Sequence, residues 1–136
     1  KLGQKVFVDD LLRQKLNALS HPFVIREIMA ELEEYDNSGE KMVVVSVPLL
    51  FESGFEKVCD RVVVVYATDD IRTERLMKRD NIDRNYAVTK IGTQMPSEQA
   101  KKQADYLIDN SGDIEKTKKD FQFVLKSIRS EYIWDL

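Results

Sequence analysis

The chain has 136 residues, is 43% hydrophobic and 33% charged, and carries a formal net charge of −3, which is typical of one globular domain. Its mildly acidic balance provides no basic field for nucleic acid, and no apolar run is long enough to span a bilayer. The single cysteine, Cys59, and the single histidine exclude an internal disulfide and the usual zinc sites, so we expect a cytoplasmic protein with Cys59 in its core.

The first part of the chain predicts two helices separated by a proline. Asp9 and Asp10 precede one stripe of a short helix, formed by Leu12, Leu16 and Leu19. Ser20, His21 and Pro22 follow. Because proline is tolerated at the first position of a helix, Ser20 or His21 is expected to cap a second helix. Its expected buried face consists of Ile25, Ile28, Met29 and Leu32.

Two valine-rich runs, residues 42–47 and 61–67, predict strands that are buried on both faces, because apolar and polar residues do not alternate in them. Residues 106–109 predict a third strand. Helices are predicted after these strands, at residues 69–79, 83–95, 96–104 and 113–129. The alternation of strands and helices predicts an α/β domain with a parallel sheet.

The carboxyl ends of the predicted strands carry small and polar residues, at positions 48–54, 67–70 and 109–112. Ligands of open parallel sheets bind at this edge, although ordinary loops favour the same residue types. Arg75 and Arg79 are four residues apart and therefore share one helix face. Two guanidinium groups at this spacing suit phosphate oxygens, but the spacing alone favours a solvated basic helix end, which the helix dipole stabilises.

The segments HPFVIREIM, VVVSVPLLFESGFEKVCDRVVVVYA, RLMKRD and IGTQMPSEQAKKQADYLIDNSG, in this order, resemble the dephospho-coenzyme A kinase family. The resemblance extends from about Leu2 to about Ile128. It implies transfer of the γ-phosphoryl group of ATP to the ribose 3′-hydroxyl of dephospho-CoA, the last step of coenzyme A synthesis, with Mg²⁺ bridging phosphates. It also implies a three-layer parallel sheet of the P-loop kinase type and a helical lid at residues 75–97.

The family's N-terminal strands are missing from these residues. There is no G-x-x-x-x-G-K-S/T loop, and the five glycines are isolated. The P-loop lysine and the family's general base, an aspartate, are absent too. We therefore interpret residues 1–136 as one partial domain of a longer kinase that does not transfer phosphate alone. The missing P-loop strand would lie between the two valine runs and pair with both.

The resemblance implies roles for particular residues. Contacts with ATP are implied for Arg75, Arg79, Asn110, Ser111 and Gly112, the two arginines also serving catalysis. Contacts with dephospho-CoA are implied for His21, Pro48, Leu49, Leu50 and Glu52. No metal ligand is implied in this chain. A turn residue explains Asn110 as well, a helix cap explains His21, and a packed core explains the leucines. Another P-loop kinase, for a small metabolite or a nucleoside monophosphate, and a non-catalytic binding domain remain alternatives.

Overall fold

The computed structural model describes residues 9–132. Their elements, in chain order, are α1 (Asp10–Asn37), α2 (Leu50–Ser53), a 3₁₀ helix (Phe55–Val58), β1 (Val63–Tyr66), α3 (Asp69–Asp80), α4 (Arg84–Gly92), α5 (Ser97–Gln103), β2 (Tyr106–Asp109) and α6 (Ile114–Glu131). The chain divides into two compact units, Lys1–Lys57 and Val58–Leu136. Within residues 9–132, no helix combines the length and the apolar character that crossing a membrane requires.

The first unit contains one long helix where the sequence predicted two. α1 continues through Pro22, and the side chain of Asp9 caps it by accepting a hydrogen bond of 3.0 Å from the Leu12 amide. Ser20 lies inside the helix, where its hydroxyl donates to the Leu16 carbonyl at 2.9 Å. The predicted break is wrong: the internal proline removes one helical hydrogen bond and crowds the preceding turn, but the helix-forming stretches on both sides continue the helix.

α1 has no buried residue. Its predicted apolar faces are half-buried at best, and Leu19 is 70% exposed. The expected burial of these faces is therefore not found in this unit. Single exposed apolar residues are common on proteins, but a row of them along one helix is a surface that normally packs against another element.

The first valine run, residues 42–47, forms no strand, and Val44 is 81% exposed. The prediction of a strand buried on both faces is therefore wrong for this chain. A strand requires a hydrogen-bonded neighbour, and the neighbour expected for this run was the P-loop strand, which these residues do not include. The segment leads instead to α2, which ends at Gly54 with φ of 74°, a left-handed conformation that glycine adopts readily.

The second unit contains the parallel sheet that the sequence predicted. β1 and β2 lie within the predicted strands 61–67 and 106–109, and they pair in parallel with Val63 opposite Tyr106 and Val65 opposite Ile108. α6 packs on β2, α5 contacts β1, and α3 packs on α4. The buried residues of the second unit are Val62, Ala67, Thr73, Ala87, Ile108 and Val124. Cys59 is half-buried and so lies outside the core in which it was expected.

Local sequence features explain the helices of this unit. α3 has acids in its first turn and Lys78 and Arg79 in its last, as the helix dipole favours, and it ends at Asn81 with φ of 52°. Asp83 and Asp113 cap α4 and α6 through their side chains. At the amino ends of the strands, Glu131 of α6 accepts hydrogen bonds from the Tyr106 hydroxyl and from Arg61.

Candidate functional site

The carboxyl ends of β1 and β2 are joined by hydrogen bonds. The Asn110 amide donates to the Tyr66 carbonyl at 2.7 Å, and the Thr68 amide donates to the Ser111 hydroxyl at 3.1 Å. The structure therefore brings the predicted ends at residues 67–70 and 109–112 to one edge of the sheet. This edge, formed by residues 67–69 and 109–112 and called the strand-end site below, is where ligands of open parallel sheets bind.

Asp109 is the last residue of β2 and holds the loop of the strand-end site in place. Its carboxylate accepts a hydrogen bond of 2.9 Å from the Ser111 amide and lies 3.2 Å from Lys116 Nζ. These bonds, from Ser111 first and Lys116 next, lower the pKa of Asp109 to about 2. The carboxylate is therefore ionised at neutral pH and serves as a hydrogen-bond acceptor rather than as a base.

The side chain of Asn110 is oriented by α6. The Thr117 hydroxyl lies 3.2 Å from Asn110 Oδ1 and 3.2 Å from the Asp109 carbonyl oxygen. A primary amide has two N–H donors besides its oxygen, so this contact leaves donors that suit the acceptors at the edge of a base. The role implied for Asn110 is chemically possible in this arrangement. Thr117 was not singled out by the sequence, although it lies seven residues after Asn110, within the first turn of a helix.

The two arginines that the sequence paired have different partners. Arg75 Nη1 donates to the Asn110 carbonyl at 2.8 Å and so connects α3 to the strand-end site. The side chain of Arg79 is 74% exposed, and its Nε lies 2.7 Å from Asp80 Oδ1. The second oxygen of Asp80 is 2.7 Å from Lys90 Nζ, and bonds from Arg79 and Lys90 hold the pKa of Asp80 well below its usual range.

Two further cations of this unit were missed in the sequence. Arg72 lies three residues before Arg75, and its guanidinium bonds to Asp69, Gln94 and Ser97. The i, i+3 spacing of the two arginines is the pattern that would have indicated it. Lys101 Nζ lies 3.9 Å from the ring centroid of Tyr66, the last residue of β1. This cation–π contact places the positive charge of Lys101 at the end of β1.

A family model described as dephospho-CoA kinase matches residues 1–116 of the chain. The chain belongs to the dephospho-CoA kinase family. A curated relative from Lactobacillus johnsonii, named dephospho-CoA kinase, is 42% identical over 128 residues, which are 94% of this chain and 65% of the relative. A relative of the same name from Geobacillus kaustophilus is 43% identical over 126 residues, 93% of this chain and 63% of the relative. The chain spans just under two thirds of each.

Two solved structures are similar to this chain. TT1252 from Thermus thermophilus is similar with a TM-score of 0.70 at 31% identity, over 93% of this chain and 64% of that protein. The dephospho-CoA kinase from Campylobacter jejuni has a TM-score of 0.62 at 27% identity, over 96% of this chain and 64% of that protein. These similarities confirm the predicted α/β fold with a parallel sheet.

The residues expected to contact dephospho-CoA lie in the first unit. His21 is half-buried inside α1, so the prediction that it caps the start of a second helix is wrong. Pro48 and Glu52 are exposed, and Leu49 and Leu50 are half-buried at the start of α2. A cleft of about 440 Å³ in this unit, between α1 and residues 40–46, is lined by none of these residues.

Within residues 9–132, no group of three or more histidine, cysteine, aspartate or glutamate side chains is arranged to hold a metal ion. The kinase family resemblance places the magnesium-binding hydroxyl on the P-loop, which these residues lack. No residue of this chain is therefore assigned to the metal.

Proposed function

We propose that this chain is part of a dephospho-CoA kinase, which transfers the γ-phosphoryl group of ATP to the ribose 3′-hydroxyl of dephospho-CoA in coenzyme A synthesis. The observation that carries the proposal is the family match over residues 1–116. The predicted cytoplasmic location and the predicted lack of a nucleic-acid partner stay predictions from composition. The proposal includes Mg²⁺ only as the ion that bridges the phosphates of ATP.

The strand-end site supports a division of roles toward ATP. Asn110, held by Thr117, contacts the adenine edge, and Ser111 and Gly112 form the loop beside it. Arg75 joins this loop to α3, the first helix of the lid. Arg79 lies one turn further along α3 with an exposed guanidinium, and it contacts the phosphates, where a planar fork of N–H donors suits phosphate oxygens.

Two other functions remain as outcomes of the test. Another P-loop kinase would phosphorylate a nucleoside monophosphate or a different small metabolite instead of dephospho-CoA. A non-catalytic binding domain would bind a nucleotide without transferring phosphate. The curated relatives favour dephospho-CoA kinase over both, since each of the similar proteins reported above from Lactobacillus and Geobacillus carries that name.

The test uses the intact protein, encoded by the full reading frame, with ATP and dephospho-CoA as substrates. Formation of CoA is followed by liquid chromatography with mass detection, and AMP and CMP are offered as competing acceptors. We expect phosphate on dephospho-CoA only. Transfer to a nucleoside monophosphate instead would show a different kinase, and nucleotide binding without transfer to any acceptor would show a non-catalytic domain.

A matched pair of variants tests the strand-end site. Asn110→Ala removes the amide proposed to contact adenine, and we expect the KM for ATP to rise roughly tenfold, as the loss of a good hydrogen bond would give. The KM for dephospho-CoA should stay unchanged. The control, Asn85→Ala, makes the same chemical change on the exposed surface of α4. An unchanged KM for ATP in Asn110→Ala would contradict the assignment of Asn110.

A further inference from the structure

Arg72 lies just before residues 75–97, which the family resemblance implies form a lid. It contacts residues 94–97, called the returning segment below. Its Nη1 donates to the Asp69 carboxylate at 3.0 Å and to the Ser97 hydroxyl at 2.9 Å, and its Nη2 donates to the Gln94 side-chain oxygen at 3.0 Å. We propose that Arg72 is a positioning residue that closes the base of the lid. Its effect on catalysis rests on the proposed kinase function, while its effect on lid structure does not.

The geometry explains why an arginine stands here. Gln94 precedes Pro96, the N-cap of α5, and Ser97 is the first residue of that helix, so one guanidinium holds both sides of the turn that begins α5. The side chain of Arg72 is 23% exposed, which protects its bonds better than those of an exposed surface pair. A lysine ammonium at the end of a flexible stem lacks the planar fork that serves acceptors in two directions.

The contacts of Arg72 also bear on Arg75. The two residues lie on the same face of α3, three positions apart, and Arg75 donates to the Asn110 carbonyl at 2.8 Å. α3 is thus attached to the returning segment by Arg72 and to the strand-end site by Arg75. Loss of Arg72 removes the side-chain bonds from α3 to Gln94 and Ser97, while Arg75 still holds α3 to the loop. Arg72 therefore acts through other residues rather than on the substrate.

Hydrogen exchange of the ligand-free intact protein tests the structural part of the proposal. In Arg72→Ala we expect the amides of residues 82–95 to exchange roughly tenfold faster, as the loss of charge-assisted hydrogen bonds at a hinge would give. Arg72→Lys keeps the charge without the fork and should behave like Arg72→Ala. The control, Arg84→Ala, removes an arginine whose one ion pair, with Asp70, is exposed, and its exchange should match the wild type.

Kinetics of the same variants test the catalytic part. We expect kcat of Arg72→Ala to fall roughly tenfold, while the KM for dephospho-CoA changes less than about twofold. A misplaced lid arginine stabilises the transition state less well but has little effect on binding of the acceptor. A simple loss of folded protein would lower the active fraction and leave the KM and the exchange of the folded fraction unchanged. Restored kcat in Arg72→Lys would overturn the role of the fork.

The two readouts separate the proposal from the proposed function. Unchanged exchange in Arg72→Ala overturns the proposal, whether or not the intact wild type transfers phosphate. Faster exchange in Arg72→Ala, together with a wild type that transfers no phosphate, supports the structural role of Arg72 and refutes the kinase function. If Arg72→Ala does not fold, the double variant Gln94→Ala with Ser97→Ala removes the acceptors instead. It should accelerate exchange in the same residues, and normal exchange in it contradicts the proposal.

Discussion

Replacing Arg79 with alanine in the intact protein should lower the rate of phosphoryl transfer and leave folding stability almost unchanged. The side chain is 74% exposed, and its partner is the neighbouring Asp80. Asp80 keeps its second bond, 2.7 Å to Lys90, so the substitution leaves no unpaired buried charge. Exposed ion pairs contribute little to stability, so we expect the melting temperature to change by less than about 2 °C.

The expected effect on the rate is much larger. Removal of one donor that stabilises charge in a transition state typically costs a factor of about 10²–10³ in kcat. Arg79→Lys should recover part of this loss, because lysine keeps the charge but lacks the bidentate fork. The assay is CoA formation at saturating ATP, with Arg84→Ala as the control for an exposed arginine of the same region. Unchanged turnover in Arg79→Ala would refute the assignment of Arg79 to the phosphates.

Three further predictions concern folding. Val124→Ala should destabilise the intact protein by roughly 1.5–2.5 kcal/mol in urea unfolding, since Val124 is 4% exposed on the face of α6 that packs on β2, and an unchanged midpoint would contradict that packing. Asp109 has a folded-state pKa of about 2, below its ordinary value of 3.8, so its contribution to stability is present above about pH 4 and is lost as the pH falls toward 2. Asp109→Asn should flatten that acid limb, and an identical pH dependence of stability would argue against the Ser111 and Lys116 contacts. The chain of 136 residues expressed alone should aggregate, because Val44 is 81% and Leu19 is 70% exposed, and a cooperative thermal transition from a soluble monomer would disagree.

The sequence predicted the second unit closely because its determinants are local. The charges in the first and last turns of α3 and the caps of α4 and α6 lie within a few residues of the helix ends that they specify. α3 is the predicted helix at residues 69–79 with one residue, Asp80, added at its end. The predicted helix at residues 83–95 is shorter in the structure, because Thr93 caps α4 after Gly92.

The predictions that failed depended on other parts of the chain. Residues 42–47 have the composition of a buried strand, but composition does not supply the neighbour that a strand must pair with. Pro22 follows two residues that can cap a helix. The stretches on both sides have high helix propensity, however, and they form the single helix α1. In both cases the local pattern was interpreted correctly, and the outcome was decided by residues outside it.

The candidate site shows the same limit at the level of single side chains. Spacing placed Arg75 and Arg79 on one face of α3, but it could not show that Arg75 binds the Asn110 carbonyl while Arg79 pairs with Asp80. The partner of Arg75 depends on where the loop after β2 lies relative to α3. Because Arg75 binds the backbone of the residue whose side chain is proposed to contact adenine, we expect a nucleotide that shifts this loop to shift α3 as well. Base binding and the position of Arg79 on the same helix would then be coupled through the hydrogen bond of 2.8 Å from Arg75 to Asn110.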